Sequence, residues 1–185
     1  SGGGGGIPGM SALTGLPARL ASFQRPGSET STAGEPIPPG AGSALGQLTA
    51  NSTPKQVAAA IIAEARRRGY SRRQAIAILS TAMQESGLNA KAHGGGGAWH
   101  GIFQQDAGYP GRDNPNLNIK AFFDRLERHG GPSSANIWKS IFWLQQRPVE
   151  PSAELAFARG RQNYLREIMS QEEKAASMYN DIVGA

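Results

Sequence analysis

A glutamate that closes an apolar helical run is the residue of this chain best placed for acid–base chemistry. Glu85 ends the segment Ala75-Ile76-Ala77-Ile78-Leu79-Ser80-Thr81-Ala82-Met83-Gln84-Glu85 and is followed at once by Ser86-Gly87. At a helix C-terminus the macrodipole presents partial negative charge, and apolar neighbours weaken the solvation of an anion. Both effects favour the neutral carboxylic acid near pH 7, the form a general acid must hold. At about 100° per residue, Ala75, Ile78, Leu79 and Ala82 share one face and Glu85 falls beside Ile78 on its flank. Gln84 points to the other side. The acid thus lies at the margin between core and cleft. Taken alone, a helix-end glutamate before Ser-Gly is more often a solvated surface residue.

Other chemistry-bearing side chains gather between residues 87 and 118. His93 and His100, with Asp106 and Asp113, invite a metal reading, but their spacing matches no zinc pattern and the neighbouring Gly94 to Gly97 run suggests a mobile loop. No metal and no cofactor are expected. The glycine run is only superficially a phosphate-binding loop, because Trp99-His100 stand where Lys-Ser/Thr would engage phosphate and magnesium. Nucleotide binding is excluded. Trp99, Phe103 and Tyr109 could each stack on a sugar face. Phe103 reads equally well as core, so Trp99 is the better platform.

The elements that must position these residues are helical. Thr53-Pro54-Lys55-Gln56 is a capping box with proline at the first helical position, and the helix runs through Val57, Ile61 and Ala65 to Gly69. Ser71-Arg72-Arg73-Gln74 repeats the cap and opens the helix that carries Glu85. Two caps and two glycine stops predict a helical hairpin. Residues 87 to 118 read as irregular, with a short hairpin around Trp99 to Gln105. Helices resume at Ile119 to Leu126, then from a cap at Ser133 or Ser134 through Ile137 to Leu144. A last region opens at Ser152 and breaks at Gly160.

Residues 1 to 50 are Gly, Pro, Ser, Thr and Ala with few aliphatics, and they read as a flexible linker or disordered tail. Leu13, Leu16, Leu20 and Phe23 recur at helical spacing, interrupted by Gly15 and Pro17. The expected fold is a mainly α domain over residues 51 to 185, with one long loop after the second helix. The chain carries a net charge of +5, and its first fifty residues add nothing to it, because Arg19 and Arg25 balance Glu29 and Glu35. The excess sits largely in Arg66-Arg67-Arg68 and Arg72-Arg73, a basic surface suited to polyanions or, more plainly, a solvated helix end. No nucleic-acid recognition motif accompanies it, and no nucleic-acid partner is expected. With no cysteine, thiol nucleophiles, disulfides and cysteine-ligated metals are excluded. No stretch is long and apolar enough to cross a bilayer, and no secretion signal opens the chain. Its Ser-Gly-Gly start reads as that of a piece excised from a longer polypeptide.

Met83-Gln84-Glu85-Ser86-Gly87-Leu88-Asn89, followed by Gly101-Ile102-Phe103-Gln104-Gln105, resembles the lysozyme-like lytic transglycosylases, and more closely their actinobacterial and phage versions. That family places a Gln-Glu-Ser segment at a helix end and a Gly-Leu-Met-Gln-type segment slightly under twenty residues later. The likeness spans roughly residues 53 to 180, with the two short motifs carrying its specificity. It implies a lysozyme-like fold and cleavage of the bond between N-acetylmuramic acid and N-acetylglucosamine in peptidoglycan. By position, Glu85 would be the single acid/base. Ser86 would orient its carboxylate or contact the sugar, Gln104 would line the cleft, and Gly101 would allow close backbone approach. Gln105 is carried over with Gln104 as a substrate contact, and Trp99 as the sugar platform. The family's third motif, a late-helix tyrosine, is matched only loosely by Tyr164 after Asn163, or by Gln145-Gln146; Tyr164 reads equally well as a core aromatic. Where relatives follow the double glutamine with Arg-Pro, this chain has Asp106-Ala107. Asp106 is either a second carboxylate for water-mediated hydrolysis or a polar loop residue.

The resemblance further implies glycan strands as partner, a monomeric isolated domain, and delivery by a phage tail protein such as a tape-measure protein. A secreted wall-remodelling enzyme is the nearest alternative. A non-catalytic wall-binding module of lysozyme shape is the competing class.

Overall fold

The computed structural model describes residues 34–184 of the chain. The architecture is mainly helical. Helix α1 (Pro54–Arg67) and α2 (Arg72–Ser86) form the expected hairpin. Both capping boxes are present: Thr53 Oγ1 accepts from the Gln56 amide at 3.1 Å while Gln56 Oε1 accepts from the Thr53 amide at 2.8 Å. Ser71 and Gln74 repeat the exchange at 3.2 and 2.9 Å. Such caps contribute about 1 kcal/mol each. Gly87 ends α2 in the left-handed conformation (φ 67°, ψ 26°).

Five further helices follow: α3 (Pro115–Glu127), α4 (Ile137–Gln146), α5 (Ala153–Arg159), α6 (Asn163–Met169) and α7 (Glu172–Val183). Helix α2 is the axle of the domain. It packs against α1, α4, α6 and α7, and every residue from Ala75 to Ala82 is buried. A helix buried all round must satisfy its polar side chains internally. Ser80 does so by donating to the Ile168 carbonyl, and Thr81 by donating to Ala77 at 2.9 Å. The amphipathic face expected from the sequence is therefore only part of what this helix buries.

Helix α4 is capped by Asn136, whose Oδ1 accepts from the Lys139 amide at 3.2 Å, rather than by Ser133 or Ser134. Those serines fall in and just after a 3-10 turn (Gly131–Ser133) that intervenes. Ser152 caps α5 as expected, and α5 ends at Gly160. A side chain there would lie 2.7 Å from the Phe142 ring and 2.8 Å from the Ala156 carbonyl.

Two expectations are corrected. The hairpin lies earlier than Trp99 to Gln105: β1 (His93–Gly94) pairs antiparallel with β2 (Trp99–His100), in register His93 with His100 and Gly94 with Trp99. The turn between them is a 3-10 turn of three glycines, Gly95–Gly97. Within the expected span itself the chain also turns back, through an antiparallel bridge of His100 with Gln105 closed by two backbone hydrogen bonds of 2.9 Å. Second, residues 34–50 are docked rather than linker-like. Pro36 bridges Ser71, Ile37 is buried in the core, and Leu45 and Leu48 pack against it. Asn116 completes the attachment, its Oδ1 accepting from Gly46 and Leu48 at 2.9 and 3.0 Å and its Nδ2 donating to the Leu48 carbonyl at 3.0 Å. Few apolar residues suffice because backbone hydrogen bonds do the rest. The helical spacing at Leu13 to Phe23 lies outside the described residues.

Candidate active site

Where α2 leaves the core, Glu85 lies in the lining of a cleft of about 520 Å³. Its carboxyl is pushed up from the ordinary carboxylate range, chiefly by burial. Hydrogen bonds from Tyr164 and Gln145 oppose that rise, the charge of Glu167 adds to it, and Arg161 reduces it. The desolvation expected of Glu85 is thus supplied by the elements packed around the helix end.

Tyr164 is the main partner. Its hydroxyl donates to Glu85 Oε2 across 79 positions of sequence. The ring is buried, in a tilted contact with Phe142 at 6.2 Å between centroids, so Tyr164 is a core aromatic whose residue also lines the cleft. Burial beside Glu85 pushes the phenol well above its ordinary value, which keeps it a hydrogen-bond donor. Helix α6 carries a second carboxylate one turn on. Glu167 is held by Arg161 in a bidentate pair at 3.0 and 3.0 Å and by Asn163 at 3.0 Å. Arg161 and Glu167 both line the cleft.

The C-terminal end of α4 adds Leu144, Gln145 and Gln146, Pro148 follows it, Arg125 of α3 joins them, and the rest of the lining comes from the loop between α2 and α3. Gly94, Gly95, Trp99, Gln104, Asp106 and Tyr109 contribute to it. Trp99 is 42% exposed, a large apolar surface open to solvent as a stacking platform must be. Tyr109 is covered by Arg125, whose guanidinium lies 3.7 Å from the ring centroid.

The loop owes its shape to one buried side chain of α3. Asn118 accepts from the Phe103 amide at 3.0 Å and donates to the carbonyls of His100 and Arg112 at 3.1 and 2.9 Å. Its own carbonyl accepts from Gln105 Nε2 at 2.7 Å. Phe103 is held by stacking on Phe122, with centroids 3.8 Å apart and planes 6° apart.

Of the residues expected to meet substrate, Glu85, Gln104, Trp99, Tyr164, Asp106 and Gln145 share the cleft. Ser86 does not orient the acid. Its hydroxyl donates to the Ile102 carbonyl at 2.7 Å and to Ala82 at 3.2 Å, tying the helix end to the loop. Gly101 is required by protein, not ligand: at φ 80° its missing side chain would lie 2.4 Å from Asn118 Nδ2. Gln105 is buried beneath the loop and braces Asn118. Gln104 sits in the left-handed region (φ 48°), with its Nε2 donating to the Ala92 and Gly101 carbonyls at 3.1 and 2.9 Å.

Compared with protein families, curated proteins and solved structures, the chain has no match. The chemistry therefore stands on the cleft itself. Sequence reasoning missed Arg161 and Glu167: Tyr164 and Glu167 are one helical turn apart on α6, while Arg161 lies in the turn that leads into that helix, where periodicity gives no signal. It also dismissed His93, His100 and Asp113, whose ligating atoms the fold brings within 4.8 Å of one another, while Asp106 is not among them.

Proposed function

We propose that this chain cleaves peptidoglycan at the bond between N-acetylmuramic acid and N-acetylglucosamine, with Glu85 as its single general acid/base. The observation that carries the reading is a desolvated carboxyl in an open cleft, hydrogen-bonded by a buried tyrosine. With Oε2 engaged by Tyr164, the other carboxyl oxygen is left to carry the proton. Glu85 gives that proton to the leaving glycosidic oxygen. The resulting carboxylate is stabilised by Tyr164 and Gln145, whose hydrogen bonds favour the charged form. It then takes the proton of the muramoyl 6-hydroxyl, which attacks the anomeric carbon and closes a 1,6-anhydro ring. The nucleophile is intramolecular, so proximity replaces an activated water and one carboxylate is enough. Trp99 offers a face for sugar stacking, and the sequence resemblance supports the substrate class. Local wall opening by a phage tail protein is the delivery this reading favours.

A second reading rests on Asp106, which lines the same cleft. Paired with Glu85 it would activate water and give a reducing end. Mass spectrometry of muropeptides released from purified walls separates the two, since the anhydro end is lighter by one water. Release undiminished by Glu85→Gln would remove both readings and leave a lysozyme-shaped binding module.

A further inference from the structure

Three side chains separated along the chain meet beside the cleft. His93 and His100 face each other across the β1–β2 pair, with ring centroids 4.1 Å apart and planes 25° apart. Asp113, from the stretch before α3, brings Oδ1 to 2.7 Å from His100 Nδ1 and 4.0 Å from His93 Nε2. The other nitrogen of His100, Nε2, lies 2.9 Å from the Gly97 carbonyl oxygen. A carbonyl can only accept, so Nε2 carries the hydrogen. In the neutral ring, Nδ1 is then a lone pair turned on a carboxylate oxygen. Two acceptors that close repel unless a cation joins them.

We propose that His93, His100 and Asp113 bind a divalent transition-metal ion of the zinc class. The ligands would be His93 Nε2, His100 Nδ1 and the Asp113 carboxylate. Two imidazoles and a carboxylate are a donor set that zinc takes, with the fourth position open to water. Ligands about 2.05 Å from a tetrahedral ion lie about 3.3 Å apart. The Asp113 oxygen lies 2.7 and 4.0 Å from the two nitrogens and all three atoms fall within 4.8 Å of one another, so the donors are gathered; to bind, the stacked imidazoles must turn out of their 25° arrangement until both lone pairs point at the ion. The Gly97 contact is the kind that fixes the tautomer of a metal-bound histidine. His93 and Asp113 are exposed, which gives an ion access from solvent.

The role that follows is positioning. An ion there would clamp both strands of the hairpin to the segment entering α3. Trp99 adjoins His100 in β2, so the clamp would fix the aromatic wall of the cleft; this consequence, unlike the binding itself, rests on the glycan-cleaving reading.

The test is calorimetric titration of the tag-free chain with zinc, together with the visible spectrum of the cobalt(II) form. The expected result is one equivalent bound with a Kd in the micromolar range or tighter, and d–d bands of a four- or five-coordinate site. His93→Ala and Asp113→Asn should each weaken binding at least tenfold, with unchanged far-UV circular dichroism. His129→Ala should bind as the parent does. Absence of saturable one-to-one binding up to about 1 mM zinc would overturn the proposal. Undiminished binding by the His93→Ala, Asp113→Asn double variant would overturn it too. Glu85→Gln should bind zinc like the parent, so the metal result is read independently of whether the chain cleaves glycan.

Discussion

The two sides of the cleft are built by different physics. The acid side, where α2 meets α4 and α6, is held by side-chain packing: Glu85 lies in the last turn of a helix buried from Ala75 to Ala82, and Tyr164 reaches it from the core. The loop side, residues 87 to 114, has short strands, a three-glycine turn and one exposed tryptophan, and it hangs on the amide of Asn118. Packing suits a group whose proton affinity must be set by dehydration. A hydrogen-bonded loop suits a surface that must meet a polar, extended ligand. On the proposed function, chemistry would belong to one side and recognition to the other, and substitutions on each side should then fail in different ways.

The largest expected effect is on the acid side. Glu85→Gln keeps the shape and the acceptor for Tyr164 but cannot give up a proton. Removing a general acid typically costs about 10²–10⁴-fold in rate. Muropeptide release from purified walls should fall by that factor, while circular dichroism and thermal midpoint show an intact fold. Glycan binding should persist, because Trp99 and the loop are untouched.

On the loop side, Asn118→Ala should reverse that pattern. It takes the side-chain partner from the Phe103 amide and the Arg112 carbonyl, while the His100 carbonyl keeps the Gln105 amide at 2.9 Å. Buried groups left unpaired cost about 1–3 kcal/mol each, so a loss of about 3 kcal/mol is expected after partial relaxation. Denaturant titration gives the number. Substrate affinity should drop through Trp99, yet whatever cleavage remains should keep the parent's pH profile. A shifted profile would mean that the loop tunes Glu85 directly, and the division of labour would fail.

This contrast also explains what could be read from the chain. Thr53, Ser71 and the position of Glu85 were legible because caps and helix periodicity are local. So was the existence of an irregular segment after Gly87, marked by its glycines. The roles of Ser86, Gly101 and Gln105 were not, since each depends on a contact between residues distant in sequence, a hydrogen bond for Ser86 and Gln105 and close steric approach for Gly101. Ser86 answers to the Ile102 carbonyl, and the other two to Asn118, which in sequence is one more polar residue of a helix. The arm at residues 34–50 was misread because composition averages over it. Ile37 and the Asn116 contacts are few but sufficient. His93, His100 and Asp113 failed as a motif because antiparallel pairing, not spacing, brings the two histidines face to face.

A smaller effect should come from Tyr164→Phe. The ring stays in the core and only the hydroxyl is lost. That hydroxyl favours the charged carboxylate, so removing it should move Glu85 further up. The basic limb of kcat/KM, which reports loss of the acid's proton, should shift to higher pH. The rate should fall about tenfold, or about 1.4 kcal/mol, as the carboxylate formed on Glu85 loses one stabilising bond. An unmoved limb would mean that the tyrosine only packs.

The smallest effect concerns stability, and there Glu85 and Glu64 should behave oppositely. The Glu85 carboxyl is raised on folding, so its contribution is full below the unfolded carboxylate range and is lost as pH rises through the folded value. Burial also pushes Glu64 up, but hydrogen bonds from Arg67 and Arg68 outweigh it and leave that carboxyl low. Its contribution is present at neutral pH and lost as pH falls. Glu85→Gln should therefore stabilise the domain at pH 8 by up to about 1 kcal/mol and raise its Tm by a few degrees. The gain should vanish near pH 4, where the parent carboxyl is already neutral. Glu64→Gln should destabilise at pH 8 and converge with the parent in acid. If Glu85→Gln brought no gain at pH 8, ionising Glu85 in the folded protein would carry no penalty, and packing could not be what holds its proton in place.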